Sequence, residues 1–324
     1  MILGQIWPRA MWLLALVGPV VLLGLRDCYQ RNHSLLRVYP VMGHGRFLAE
    51  RFRPEIQQYF VESNTNGAPF SRTTREIIYS RAKGQQDKLP FGTQMDVYQP
   101  GYEFLAHSMY PKHAAPGADR VMIGGPECSQ PYLASILNVS AMSFGALSDA
   151  AIRALSTGAA RGGFAHNTGE GGISPHHLAG GADLIWQIGT GYFGCRSADG
   201  RFDPEMFAEQ AALEAVKAIE IKLSQGAKPA HGGILPGAKL TPEIARIRGV
   251  ELGRDVISPA AHSAFDSPAG LLHFVARLRH LSGGKPIGFK LCVGDKSEFL
   301  EVVAAMRSTG IRPDFITVDG AEGG

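Results

Sequence analysis

From about residue 135 onward, short apolar runs that end in glycine or small polar residues alternate with helix-like stretches, which predicts an α/β fold of parallel βα units, most simply a (β/α)8 TIM barrel. The totals agree with this. A chain of 324 residues, 45% of them hydrophobic, is long enough for a large buried core, and forty glycines with twenty prolines but no low-complexity runs call for many tight loops. A doubly wound open sheet is the alternative that the alternation leaves open. In a barrel the carboxyl ends of the strands form the working face, so the chemistry is expected in the loops that follow them.

The first segment, residues 1–25, is different in kind. Residues 10–25 ("AMWLLALVGPVVLLGL") carry no charge, a little short of the ~20 residues needed to cross a bilayer, and residues 2–7 add apolar length beyond Pro8 and Arg9. No small-x-small cleavage pattern follows Leu25, which argues against a signal peptide. Arg26, Arg31 and Arg37 outnumber Arg9 across the segment, so a single transmembrane helix is expected, anchoring a catalytic body that faces the cytoplasm.

Residues 26–134 read as a helical and extended lead-in. Phe47, Phe52, Ile56 and Phe60 recur at helical spacing in 46–60, and "SRTTREIIYSRAK" (71–83) opens with capping residues and predicts a second helix. Residues 89–111 lose all periodicity and are expected to be an extended, packed segment.

The barrel domain is expected over 135–324. "SILNVSAMS" is its first apolar run, followed by the helix "LSDAAIRALSTGAARGG"; then come "FAHNTGEGG" and the run "LIWQIGTGYFG". "PEMFAEQAALEAVKAIEIKLSQGAKP" reads as a helix passing into a strand, and "DVISPAAH" follows. The helix "PAGLLHFVARLRHL", the strand "PIGFKLCVG", the helix "SEFLEVVAAMRSTG" and the strand "PDFITVDGAEGG" complete the series. This stretch offers about 190 residues against the ~250 of a whole barrel, so a barrel truncated at its C-terminus is expected.

Four strand ends carry glycine or small-residue loops: "SAMSFG", "HNTGEGG", "IGTGYFG" and "DGAEGG". One such loop is an ordinary turn. Four on one rim offer exposed backbone N–H and C=O groups to a large planar ligand such as a flavin, which is read largely through backbone hydrogen bonds. No GxGxxG follows a first strand as a dinucleotide fold requires, so FMN ranks above NAD. Lys290 in "GFKLCVG" faces opposite to Phe289 and Leu291 by alternation; a cation there suits the N1–C2=O side of a flavin, with a solvent-facing lysine as the rival reading. Lys228, three residues after Gln225, and Arg248 form a candidate carboxylate clamp, weighed against solvated surface cations. Lys222 could simply point outward. Glu170, set among glycines, could accept from an amine or act in proton transfer, or be a loop carboxylate satisfied by backbone N–H groups. His176 and His177 lack partners at metal-ligand spacing and read as a solvated pair, so no metal site is expected.

The exclusions are simple. A net charge of +3 without a Lys/Arg stripe interleaved with aromatics argues against nucleic-acid binding. Cys28, Cys128, Cys195 and Cys292 lie far apart with no CxxC pair, which fits reduced thiols and supports no iron–sulfur cluster.

At "NTGEGG", "QGAKP…GGILPGAKLTPEIARIR", "VISP" and "GAEGG" the chain, over roughly residues 90–324, resembles the FMN-binding synthase domain of glutamate synthases, and within that family the stand-alone, often membrane-anchored members. The resemblance implies an FMN-dependent (β/α)8 barrel that reduces 2-iminoglutarate, formed from 2-oxoglutarate and ammonia, to L-glutamate. It implies flavin contacts at Met142, Ser143, Gly145, Asn167, Thr168, Lys290, Gly323 and Gly324, the last two preceded by Glu322 where the family usually has Asp. It places Glu170 on the substrate side and Gln225, Lys228 and Arg248 at 2-oxoglutarate, with Glu170 and Lys228 as the catalytic candidates.

The departures are equally plain. No amidotransferase domain with a catalytic cysteine begins the chain, so ammonia or another amine and an unidentified electron donor are expected partners. The resemblance puts the cluster-binding cysteines and the strands that cradle the FMN phosphate beyond Gly324. Two alternatives therefore stand beside it: a related FMN-dependent oxidoreductase acting on another amine or 2-oxo acid, and a non-catalytic membrane-tethered fragment.

Overall fold

The computed structural model describes residues 10–85, 95–226 and 232–320, and the chain divides into two compact units, Met1–Met109 and Tyr110–Gly324. In the first unit, helix α1 (Ala10–Tyr29) is followed by α2 (Ser34–Val38), α3 (Met42–Ile56), a π-helical turn (Gln57–Val61) and α4 (Arg72–Ala82). Ser71 caps α4 by accepting from the Thr74 N–H at 3.3 Å, as its sequence predicts. Residues 95–109 are irregular rather than packed. They turn at Pro100 and Gly101 (φ 85°) and leave Tyr98, Phe104 and Leu105 exposed, because a segment without periodicity has no single face to bury.

The expected membrane anchor, with its cytoplasm-facing location, is overturned: among the described residues, no helix is long and apolar enough to cross a membrane. Arg26 and Asp27 occupy the last turns of α1, so its apolar stretch stops at Leu25. Sixteen uncharged residues rise only ~24 Å, against a hydrocarbon core of ~30 Å. Residues 2–7, expected to supply the missing length, lie outside the described residues. Asp27 is buried, and its carboxylate accepts from the Val41 N–H at 3.0 Å and meets His44 Nε2 at 2.8 Å.

The second unit opens with an antiparallel pair, β1 (Arg120–Ile123) and β2 (Tyr132–Ser135). It continues through α5 (Asp149–Gly162), β3 (His166–Asn167), α6 (Pro175–Ala179), β4 (Leu184–Ile188), α7 (Pro204–Ala211) and β5 (Val216–Lys222). Then follow β6 (Ile234–Leu235), a 3-10 turn (Gly237–Lys239), α8 (Pro242–Arg248), β7 (Val256–Ile257), α9 (Pro268–Leu281), β8 (Ile287–Leu291), α10 (Lys296–Thr309) and β9 (Ile316–Val318). The helix starts are written locally: Asp203, Thr241 and Ser267 each cap a helix with proline at its first position.

Strands β3, β4, β5, β8 and β9 form one parallel sheet in chain order. A doubly wound sheet reverses its order at a switch point, and none is present among the described strands. The sheet is compatible with part of a (β/α)8 barrel. β6 and β7 pair antiparallel as a separate ribbon inserted between β5 and β8.

Two expectations change. Beyond Ser135, which ends β2, the run "SILNVSAMS" is not a sheet strand; it contributes one isolated bridge, Val139 to His166. Asn138 takes the neighbouring backbone groups instead, donating to the Ser135 carbonyl at 2.7 Å and accepting from the Ala165 N–H at 2.9 Å. β1 and β2, in turn, fall in the lead-in that gave no strand signal.

Alternation then divides the sheet's two faces. Trp186, Ile188, Ile219, Ile221, Ile287 and Phe289 turn outward into one apolar cluster with Phe207 of α7 and Leu271, Phe274 and Leu278 of α9. Gln187, Glu220, Lys222 and Lys290 turn the other way, toward a cavity.

Candidate functional site

Glu220, at the centre of β5, is almost fully buried and ties the inner face together. One carboxylate oxygen accepts from Asn167 Nδ2 at 2.8 Å and Gln187 Nε2 at 2.6 Å, the other from Thr317 Oγ1 at 2.6 Å. Three neutral donors from β3, β4 and β9 thus converge on one buried charge, which offsets its loss of water. With its amide nitrogen engaged, Asn167 turns Oδ1 to the Gly169 N–H at 3.0 Å and shapes the start of the glycine loop.

That loop answers to close approach. Gly169 has φ 63°, and a Cβ there would stand 2.7 Å from the Ser143 backbone nitrogen. Only glycine lets residues 166–172 lie against residues 142–145 in this way.

The loops enclose a cavity of about 540 Å³ at the carboxyl ends of the parallel strands. Of the residues singled out from sequence, Met142, Ser143, Gly145, Glu170, Gln225, Arg248 and Lys290 line it. Asn167 and Thr168 do not; they are buried behind the lining, where the Thr168 hydroxyl accepts from the Gln187 N–H at 3.1 Å. Lys228, Glu322, Gly323 and Gly324 lie outside the described residues.

The cations are arranged as follows. Lys222 does not point outward: it is buried, and Nζ donates to Glu170 Oε1 at 2.8 Å and Gln225 Oε1 at 2.6 Å. Lys290 Nζ stands 3.4 Å from Asp319, which also accepts from the Gly226 N–H. Arg248 is buried at the end of α8, over the Phe193 ring at 5.1 Å, with Nη2 donating to the Phe144 carbonyl at 3.2 Å. Its Nε has no hydrogen-bond partner among the described residues. Burial pulls the Arg248 pKa down, opposed by the negative charge of Glu170. The guanidinium is therefore desolvated and only partly engaged, a state that an anion in the cavity would relieve.

His176 and His177 are not solvated. Ser174 and His177 form a capping box on α6, with Oγ and Nδ1 2.7 Å apart, and His177 Nε2 donates to the Met142 carbonyl at 3.0 Å. His176 Nδ1 accepts from Arg153 Nε at 3.1 Å, and its ring meets Phe144 edge-on at 4.6 Å. Both were set aside for lack of metal spacing, but the helix needed a cap and the loop carbonyl a donor.

Sequence reasoning missed Gln187, Glu220 and Asp319 and undervalued Lys222. The signal was present in "AIEIK": two charges two residues apart in a strand of β-branched residues share one face and cannot both be solvent-exposed if the strand is central.

Comparison with known proteins bears on this pocket. Residues 110–324 match the family described as the conserved region in glutamate synthase. The chain is 37% identical, over 350 aligned positions, to the glutamate synthase large subunit-like protein YerD of Bacillus subtilis (strain 168), covering 94% of this chain and 66% of that protein. It is 35% identical over 188 positions to the archaeal-type glutamate synthase (NADPH) of Thermotoga sp. (strain RQ2), covering 57% of this chain and 33% of the relative. The archaeal glutamate synthase (NADPH) of Archaeoglobus fulgidus is similar to the same degree, at 35% over 188 positions. The chain thus spans 66% of the length of the first of these relatives and 33% of the other two.

Proposed function

The chain belongs to the glutamate synthase family, and from that premise we propose that its pocket binds FMN and 2-oxoglutarate and forms L-glutamate by reducing 2-iminoglutarate. The observation that carries the reading is Arg248, a buried guanidinium at the cavity wall whose Nε has no partner among the described residues. A carboxylate is the ligand that such a fork pairs with best.

The residues present fit a flavin. The cavity falls within the roughly 300–1,000 Å³ of small-molecule sites. Residues 140–143, 145–147 and Gly169 form one wall, and Lys290, on the strand side away from Phe289, offers a cation to the ring system. Met142, Ser143, Gly145 and Lys290 would hold the cofactor at that wall, with Asn167 and Thr168 shaping the loop behind them. When bound and reduced, FMN would supply the hydride. We assign it to the FMN-dependent type of (β/α)8 barrel.

The chain's own contribution is positioning and charge. Arg248 and Gln225 orient the carboxylates of 2-oxoglutarate. Lys222 Nζ, by donating to Glu170 and Gln225, holds both side chains at that wall, and Glu170 is placed to accept from an amine. Electrons come from a partner, for which the two relatives named for NADPH favour a nicotinamide source. The test is a visible spectrum of the purified chain, titrated with FMN and then with 2-oxoglutarate. A bound-flavin spectrum that 2-oxoglutarate perturbs is expected; a chain that stays colourless after FMN addition overturns the proposal.

A further inference from the structure

β4 leaves the sheet one residue before its neighbour does. The pairing of β4 with β5 ends at Ile188 opposite Ile221, while β5 continues to Lys222 against Lys290 of β8. The departure occurs at Gly189, where a Cβ would collide with the Glu170 carboxylate, so the strand gives way where Glu170 enters the cavity. On that side the Lys222 carbonyl loses its strand neighbour, and a buried carbonyl left alone is costly.

The carbonyl is taken up by a side chain. His262 Nε2 lies 2.8 Å from it, and because a carbonyl only accepts, Nε2 carries the hydrogen and Nδ1 is the acceptor. The Tyr192 hydroxyl stands 3.1 Å from Nδ1 and accepts from the Ala264 N–H at 3.1 Å, so its own proton goes to the ring. Every proton in this chain has a fixed direction. Burial holds His262 below its ordinary pKa, which keeps the ring neutral as the arrangement requires.

Tyr192 is held there at a cost. Its φ is 51°, in the left-handed region that a bulky residue avoids, and it is fully buried, with its ring edge-on to His262 at 5.4 Å. Thr190, in the same turn, donates to the Pro259 carbonyl at 2.6 Å. The loop after β4 and the loop after β7 are thereby locked to the end of β5, which carries the Lys222–Glu170–Gln225 cluster.

We infer that Tyr192 and His262 are positioning residues that stand in for the missing strand and hold Lys222, and through it Gln225 and Glu170, in the geometry that receives the substrate's carboxylate end. This rests on the proposed function only for the identity of that substrate.

The full chain would be compared with Tyr192→Phe, His262→Phe and His262→Gln, the last retaining an N–H donor. Amide hydrogen exchange of the segment around Lys222 to Gly226, measured without ligand, is expected to quicken about fivefold or more in the two phenylalanine variants and to return toward wild type in His262→Gln. The 2-oxoglutarate dissociation constant, read from the flavin spectrum, should rise by roughly the same factor while FMN affinity stays within about twofold. Exchange unchanged in both phenylalanine variants overturns the strut. So does a uniform loss of FMN affinity and thermal midpoint in all three variants, the mark of a merely structural pair. A wild-type chain that binds FMN but ignores 2-oxoglutarate refutes the substrate reading instead, and the exchange measurement still judges the strut.

Discussion

On one face of β5, Ile219 and Ile221 share a dry cluster with Phe207, Leu271 and Phe274; on the other, Glu220 and Lys222 stand among Asn167, Gln187, Gln225 and Glu170. The same four residues of backbone, 219–222, serve both faces. The outer face is held by area removed from water, which is non-directional and tolerates repacking. The inner face is held by donors and acceptors that must each find a partner, so it is specific and unforgiving. What separates a scaffold from a site here is only the parity of the residue number.

The largest expected effect lies on the inner side. Arg248→Leu should weaken 2-oxoglutarate binding about 100-fold, on the order of 3 kcal/mol, because a desolvated cation facing an anion is lost. FMN binding should persist, as a flavin titration would show; unchanged 2-oxoglutarate affinity would mean that the pocket's anion lies elsewhere.

The outer side should respond in the opposite sense. Ile219→Ala should cost about 2–4 kcal/mol of stability in a urea unfolding curve, with ligand affinities nearly unchanged. If affinity fell as much as stability, the two faces would not be separable.

Acid tests the apolar side further. His166 is fully buried beside His177, neither ring nitrogen is bonded among the described residues, and burial, aided by His177, lowers its pKa from 6.5 to about 4. The unfolded chain binds a proton there at higher pH than the folded one, so this contribution is complete above pH 6.5 and is lost as the pH falls toward 4. The loss should be roughly 2–3 kcal/mol. His177 and His262, also held down by burial, add in the same direction. In His166→Phe the slope of stability against pH over this window should flatten; an unaltered slope would assign it to other groups.

The smallest effect sharpens the hub. Thr317→Val removes one of the three donors to Glu220 and should cost ~1 kcal/mol, read as a shift in the urea midpoint with ligand binding intact.

Much of this was written locally. Alternating apolar runs and helices gave a parallel sheet, the capping residues at Ser71 marked a helix start, and parity alone set Lys290 opposite Phe289. Of the residues marked by the family motifs, Met142, Ser143, Gly145, Glu170, Gln225, Arg248 and Lys290 line one cavity, Asn167 and Thr168 lie behind its wall, and Lys228, Gly323 and Gly324 lie outside the described residues. Other features were not local. Residues 10–25 have the composition of a span but not its length. "SILNVSAMS" has strand composition, yet Asn138 diverts its ladder.

The amino-acid order by itself determined which residues are apolar, where helices start and stop, and which side chains share a face, because those depend on neighbours within a few positions. Only the tertiary structure decided that Glu220 meets Thr317 from 97 residues away, that Arg248 meets Phe144 across 104, and that His262 replaces a strand at Lys222. Such contacts follow from how loops approach one another once the sheet has formed, and no local preference encodes the direction of that approach.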